Sequence, residues 1–403
     1  MPSGSIFSLH REALLRRGRG EPIIDGTVGV LLDDAGELAV LPTVKRALGE
    51  LPPREWAPYA PLAGEAAFVD AVRENTFPPE LRSAVIAVAT PGATGAVGLA
   101  IAIALEPGDS LLTRSLHFPA YADLAEQQGR RLATFAMFGS AGRFDVAALA
   151  RALEALAVRQ GRVLLVLNDP CQNPTGYTMS TAEWHAVVEV VAGLAQRTPT
   201  TVLIDAAYAD FAGATWTPPH AAMTRLAESA NVLVAWSASK SLTTYGLRVG
   251  ALLALCPNAA RRRAVGAALA RANRGPWGNV NRGGMMVVGR ILSDATLTRR
   301  AVRERCVLIA LLMERTRAFQ RAAQRRGLRS FCHDGGFFAA VPARRAARVA
   351  EVMRQRGGFV IPHGQMLRFA LCALPTQQIA ALVDMAADGV GEHDGDNVAR
   401  EAS

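Results

Sequence analysis

Between Pro52 and Pro257, seven short apolar runs punctuate the chain: SAVIAVA, DSLLT, RLATFAMF, RVLLVLND, TVLIDA, NVLVAWS and GALLALC. Segments of helical pattern separate them. Short hydrophobic runs alternating with helix-length segments are the sign of a mostly parallel sheet covered by helices on both faces. The expectation is an α/β fold whose large domain carries a seven-stranded, mostly parallel sheet sandwiched by helices. Ligands of such sheets sit at the carboxyl ends of the strands, so the polar residues that directly follow each run are the ones to weigh.

One stretch, 83–105, carries no charge and is long enough to span a bilayer. Pro91 and the glycines at 92, 95 and 98 interrupt it. It reads as a buried strand over 85–89, a Gly-rich turn and a helix from about Gly95, with no membrane span. From about Thr296 the pattern becomes a long Arg-rich helix through Arg326. GFFAAV, a helix to Arg356, GFVIP, MLRFALCAL and a last helix from Pro375 follow. The expected partition is an N-terminal segment (1–40) joining a smaller α+β domain, a large domain (41–300), that smaller domain (301–390), and a tail (391–403) without order.

The 403 residues are half hydrophobic and one-fifth charged, as in an ordinary globular protein. The net charge of +9 raises nucleic acid as a partner. The basic clusters, Arg261 to Arg263 and Arg325 with Arg326, lie instead in amphipathic helical stretches without interleaved aromatics, so a solvated basic surface is expected. The cysteines at 171, 256, 306, 332 and 372 show neither zinc nor redox spacing, and the first twenty residues lack the apolar core of a signal peptide. Reduced thiols in a cytoplasm are the expectation.

Of the 44 Lys and Arg residues only Lys45 and Lys240 are lysines. Lys240 stands at the end of the run NVLVAWS, in the stretch SASKSLTTYGLRVG. Free lysine sits about 3.4 pKa units above neutrality, about 4.6 kcal/mol. Burial and neighbouring cations can remove that penalty, whereas arginine keeps its proton. A lysine can therefore condense with an aldehyde where an arginine cannot, and a chain that otherwise uses arginine has kept an amine here.

Other strand ends carry candidates, each with a plainer alternative. TPGATGAVG could cradle a phosphate on backbone N–H groups, with Thr94 adding a hydroxyl, or be only a tight turn. Its G-x-x-G-x-x-G spacing differs from the dinucleotide fingerprint, which argues against a nicotinamide-dependent oxidoreductase. NDPCQNPTGY is a turn in which Pro174 could aim the Asn173 amide into the cleft. Asp205, closing TVLID, is either a helix cap or a buried carboxylate with a cationic partner, and Tyr208 follows three residues on. Together a phosphate cradle, a carboxylate for a pyridine nitrogen and a lysine for an aldehyde are what pyridoxal phosphate requires.

In these motifs and their order the chain resembles the fold-type I pyridoxal-phosphate aminotransferases, specifically the aspartate/aromatic subgroup, from about Ile23 to Leu374. The segment DGTVGVLLDDAGELAVLPTVKRA is similar to the subgroup's N-terminal crossing segment, and PYAPLAGEAAF to its Y-x-P-x-x-G motif. NPTG, DAAY, SASK with Arg248, and MLRFALCAL follow in the family's order. The resemblance implies that Lys240 forms the Schiff base and moves the substrate's proton, and that Asp205 pairs with the pyridine nitrogen. It implies that Tyr208 and Asn173 bind the ring hydroxyl, that Phe118 stacks on the ring, and that Ala93, Thr94, Ser237 and Arg248 hold the phosphate. Arg368 would bind the α-carboxylate as a fork, with Gly29 nearby.

The resemblance further implies a homodimer with shared sites. Tyr59 would reach the cofactor phosphate held by a second subunit. Arg274, in the R-x-x-W-x-N-like RGPWGN, would reach a distal substrate carboxylate there, unless it is one more surface arginine. The implied reaction is ping-pong transfer between an aromatic or dicarboxylic L-amino acid and a 2-oxo acid such as 2-oxoglutarate. A lyase or racemase on the same scaffold is the alternative. The chain departs from the subgroup at Phe118 (usually tryptophan), at Gly92 (commonly serine), and at Tyr121 and Asn168 (histidines), which favours a relaxed substrate range.

Overall fold

The computed structural model describes residues 6–213 and 216–393. A two-residue strand, β1 (Ile24–Asp25), precedes the sheet. The seven apolar runs become β2 (Val85–Thr90), β3 (Ser110–Arg114), β4 (Arg131–Phe135), β5 (Val163–Asn168), β6 (Thr200–Asp205), β7 (Asn231–Ser237) and β8 (Gly250–Leu255). They form one sheet in the order β2-β8-β7-β6-β5-β3-β4, with β8 antiparallel to both neighbours and the other pairings parallel.

Every residue of β3, β5, β6 and β8 is buried, which is why the apolar residues of these runs sit next to one another instead of alternating with exposed polar ones. The two faces still separate with a period of two. Leu165, Leu167, Val202 and Ile204 enter one core with the helices Val146–Gln160 and Thr181–Ala195. Leu164, Val166, Leu203 and Leu233 enter the other, beneath the helix Gly92–Ala104. That helix opens three residues earlier than its sequence suggests, because Gly92 itself makes the turn at φ +69°.

Register aligns the carboxyl ends of the central strands. Asn168 lies opposite Asp205, Asp205 opposite Ala235, and Ser237 opposite Gly250. Side chains leaving these ends share one edge.

A separate core lies under β9 (Phe338–Pro342), β11 (Ile361–His363) and β12 (Met366–Ala370), an antiparallel sheet of order β11-β12-β9. The helices Ala295–Arg325, Ala346–Gln355 and Ile379–His393 cover it. GFVIP divides: β10 (Gly358–Phe359) pairs in parallel with β1, while β11 pairs with β12. The N-terminal segment is thereby stitched to this second unit. Fully buried Arg315 reinforces the join, donating to the carbonyl of Cys372 (2.8 Å) and to Asp34 Oδ1 (2.8 Å).

The tail expectation needs correction where it can be examined. Gly391 to His393 form the end of the helix Ile379–His393, and 394–403 lie outside the described residues. No helix among the described residues is long and apolar enough to cross a membrane.

Leu165, fully buried on β5, packs into the core beneath the helices Val146–Gln160 and Thr181–Ala195. Its replacement by alanine is expected to lower the unfolding free energy by about 2–5 kcal/mol in denaturant titration. Val158→Ala, at a site 82% exposed, should change it by less than about 0.5 kcal/mol.

Candidate active site

Lys240 leaves the end of β7 on one short helical turn, Ala238–Ser241. Ser237 caps that turn, its hydroxyl accepting the Ser239 N–H at 3.1 Å. The lysine crosses the cleft and donates from Nζ to the Gly29 carbonyl. The rings of Tyr245, Phe337 and Tyr208 lie 4.6, 4.9 and 5.7 Å from Nζ. No carboxylate pairs with it among the described residues. Burial, with Arg368 and Arg248 adding repulsion, pushes its pKa from 10.5 down to about 8 against an opposing contribution from Cys372. That raises the neutral fraction at pH 7 roughly 300-fold over a free lysine.

Asp205 is buried at the end of β6, where burial raises its pKa. Its carboxylate accepts from the Tyr121 hydroxyl (2.5 Å) and the Ala207 N–H (3.2 Å), and no arginine or lysine pairs with it among the described residues. Of the sequence alternatives the helix cap gives way: Asp205 is a buried carboxylate held by a phenol and a backbone N–H. Asn168, one strand over, donates to the Asp205 carbonyl (2.8 Å) and accepts the Asn173 N–H (2.7 Å). The Asn173 turn is thus tied to the sheet edge. Asn173 shares the cavity with the buried Tyr208, and its side-chain amide oxygen is buried without a partner.

The Gly-rich turn meets Arg248. A Cβ at Gly92 would lie 2.7 Å from Arg248 Nη2, and one at Gly250 would lie 2.5 Å from the Gly92 carbonyl carbon. The departure to glycine at 92 is thus imposed by this guanidinium and by the positive φ. Arg248 donates to Ser239 Oγ (3.1 Å) and to the Tyr245 carbonyl (3.0 Å). With the first turn of the helix Gly92–Ala104 and Ser237 it forms a donor-rich cradle.

Arg368, on β12, is 3% exposed. It donates from Nη2 to the Thr27 carbonyl (2.5 Å), lies over the Phe338 ring (4.7 Å), and leaves its buried Nε without a partner. Burial depresses its pKa to about 10. A buried guanidinium with an orphan donor and no carboxylate is a site for an anion.

These groups line one cavity of about 530 Å³. It brings together Gly29, Ala93, Thr94, Phe118, Asn173, Asp205, Tyr208, Ser237, Lys240, Arg248 and Arg368. A Cβ at Gly29 would lie 2.8 Å from the Phe338 ring. Tyr59, 91% exposed, and the exposed Arg274 lie outside it. Sequence reasoning passed over Tyr245 and the apolar lining at Val28, Val30 and Phe338. An aromatic residue midway between Lys240 and Arg248 was the available signal for the first.

The sequence matches the family described as aminotransferase class I and II over residues 21–385. This chain belongs to that family. It is 32% identical to an aromatic-amino-acid aminotransferase of Pseudomonas aeruginosa over 282 residues, 68% of this chain and 69% of that one. An aminotransferase structure from Anaerococcus prevotii superposes with a TM-score of 0.88 at 28% identity, covering 97% of each chain. An aromatic-amino-acid aminotransferase from Burkholderia pseudomallei, covalently bound to pyridoxal phosphate, superposes with a TM-score of 0.79 at 22% identity over 97% of this chain and 98% of that one. This protein is an aminotransferase, and the oxidoreductase reading of the glycine-rich turn falls.

Burying an amine with no carboxylate paired to it among the described residues destabilises the fold. Below pH 8 both the folded and the unfolded lysine are protonated and the cost is complete, about 3 kcal/mol. Between pH 8 and 10.5 the unfolded chain holds a proton that the folded chain has released, so stability rises with pH. Lys240→Met is therefore expected to be more stable than the parent at pH 7 by up to about 3 kcal/mol, with the advantage disappearing above pH 10.5, in pH-dependent denaturant titrations.

Proposed function

We propose that this aminotransferase uses pyridoxal 5'-phosphate and moves an α-amino group between an aromatic or dicarboxylic L-amino acid and a 2-oxo acid such as 2-oxoglutarate. The observation that carries this reading is a buried amine with a depressed pKa sharing one cavity with two carboxylate-free arginines and a cation-free aspartate. The fit is chemical. Arg248 and the helix N-terminus suit a phosphate, Asp205 suits a protonated ring nitrogen, and Lys240 suits an aldehyde. When bound, the cofactor supplies an electron sink and holds the amino group between the two halves of the reaction.

The chain's own residues do the rest. Asp205, kept in place by Tyr121, Ala207 and the Asn168 bracket, sets the ring nitrogen's protonation. Tyr208 and Asn173 offer hydrogen bonds to the ring hydroxyl, and Phe118 presents a face to the ring. Ala93, Thr94, Ser237 and Arg248 hold the phosphate. Arg368 turns its orphan Nε to the substrate carboxylate beside Gly29. Lys240 Nζ takes the proton from the substrate Cα, a role suited to an amine with a pKa of about 8. The exposed Tyr59 and Arg274 act in a second subunit of a homodimer, Tyr59 on the phosphate and Arg274 on a distal carboxylate.

The purified protein is expected to show a visible or near-ultraviolet band that shifts when an amino donor is added. Borohydride reduction followed by peptide mass spectrometry should place the cofactor on Lys240 and not on Lys45; attachment to Lys45 or to neither lysine rejects the reading. A transaminase should also yield the donor's 2-oxo acid with one new amino acid per turnover, whereas a lyase or racemase would not.

Arg368→Lys, which removes the fork, should raise KM for donors and acceptors about 30-fold or more. Arg274→Leu should weaken aspartate and glutamate about tenfold while sparing phenylalanine and tyrosine, and equal loss for every donor would misplace Arg274.

A further inference from the structure

Residues 27–31 cross the cavity, and their backbone is held by four different side chains. The Thr27 carbonyl accepts from Arg368 Nη2 at 2.5 Å, and the Val28 carbonyl faces Cys372 Sγ at 3.7 Å. The Gly29 carbonyl accepts from Lys240 Nζ, and the Leu31 N–H donates to the Tyr245 hydroxyl at 3.0 Å. Tyr245 is the member of this set that touches three parts of the site. Its ring lies 4.6 Å from Lys240 Nζ, its carbonyl accepts from Arg248, and its hydroxyl fixes Leu31.

We propose that the Tyr245 hydroxyl is a positioning group: by pinning the Leu31 N–H it fixes the Gly29 carbonyl as the acceptor that aims Lys240 Nζ across the cleft. This rests on the role proposed for Lys240. Two opposing influences act on the amine. Burial favours its neutral form, whereas an aligned carbonyl acceptor favours the ammonium. The Tyr245 hydroxyl acts on the second influence only, through the position of Gly29, whereas its ring lies against the amine. Gly29 cannot be shifted freely, because the Phe338 ring lies where its Cβ would be. The acceptor can therefore move away from Lys240 more readily when the Leu31 end is loosened, and Tyr245 is the side chain that holds that end, beside the backbone bonds from Ala39 N–H to the Leu31 carbonyl (3.0 Å) and from Leu32 N–H to the Cys372 carbonyl (2.9 Å).

The chain offers a clean measurement, since Lys45 and Lys240 are its two lysines and Lys45 is exposed. The full-length protein, freed of cofactor, is reductively methylated with trace formaldehyde at a series of pH values. The two lysine peptides are then quantified by mass spectrometry, with Lys45 as the internal standard. In the parent protein Lys240 should titrate well below a free lysine side chain; if it titrates as a free lysine does, the reading of Lys240 fails before any variant is considered. Tyr245→Phe keeps the ring and removes the pin. It should lower the Lys240 midpoint by about half a pH unit, about threefold more labelling relative to Lys45 at pH 7. An unchanged or raised midpoint in a variant with the parent's circular dichroism overturns the proposal. Tyr245→Met removes ring and hydroxyl together. A shift in this variant without one in Tyr245→Phe would assign the effect to the ring, and so also overturn it.

Discussion

The structure depends on an arrangement that folding alone would avoid: an amine and two guanidiniums gathered around one cavity, with no carboxylate paired to them among the described residues. Lys240, Arg248 and Arg368 face a common cavity, and what surrounds them is oxygen from carbonyls and hydroxyls, together with aromatic faces. Neutral acceptors soften the burial of a cation without removing its charge. Each cation therefore keeps its appetite for an anion or, for the lysine, its readiness to become neutral. The opposite pole is a single aspartate, held by a phenol and a backbone N–H. Charge separation of this kind is stability given up for reactivity.

The sheet makes the arrangement possible by register. Because β5, β6 and β7 run parallel in register, Asn168, Asp205 and Ala235 stand side by side, β7 runs two residues further to Ser237, and the turns that follow deliver Asn173, Tyr208 and Lys240 from neighbouring directions. β8 returns antiparallel beside β7, which brings Gly250 against Gly92 and sets Arg248 over the glycine-rich turn. The cradle is then a by-product of strand order. Arg368 arrives from the other core, so the cavity is walled by both units of the chain.

Much of this was legible in the sequence, for physical reasons that differ by residue. The central strands announced themselves because burial on both faces makes a strand nearly continuously apolar. Lys240 stood out because an arginine-rich chain had kept an amine at a strand end. Asp205 was visible as an acid at such an end, but its partner was not: Tyr121 lies 84 positions away, and a phenol gives no sign of which carboxylate it will meet. The bonds to Thr27, Gly29 and Leu31 were invisible for a deeper reason. They use backbone groups, which every residue possesses, so no choice of side chain marks them. The helix start at Gly92 was missed because glycine usually breaks helices, whereas here its positive φ makes the entry.

The pairing of β1 with β10 has a consequence in time as well as in space. Ile24 finds Gly358, and Thr27 finds Arg368, across more than three hundred intervening residues. Closing so long a loop is entropically costly and comes late in folding. During synthesis Lys240, Arg248 and the glycine-rich turn are all present once Gly250 has emerged, whereas Arg368 waits for β12. On the function proposed above, a nascent chain would hold its amine before the arginine that selects a carboxylate, so that selectivity would be the last property acquired.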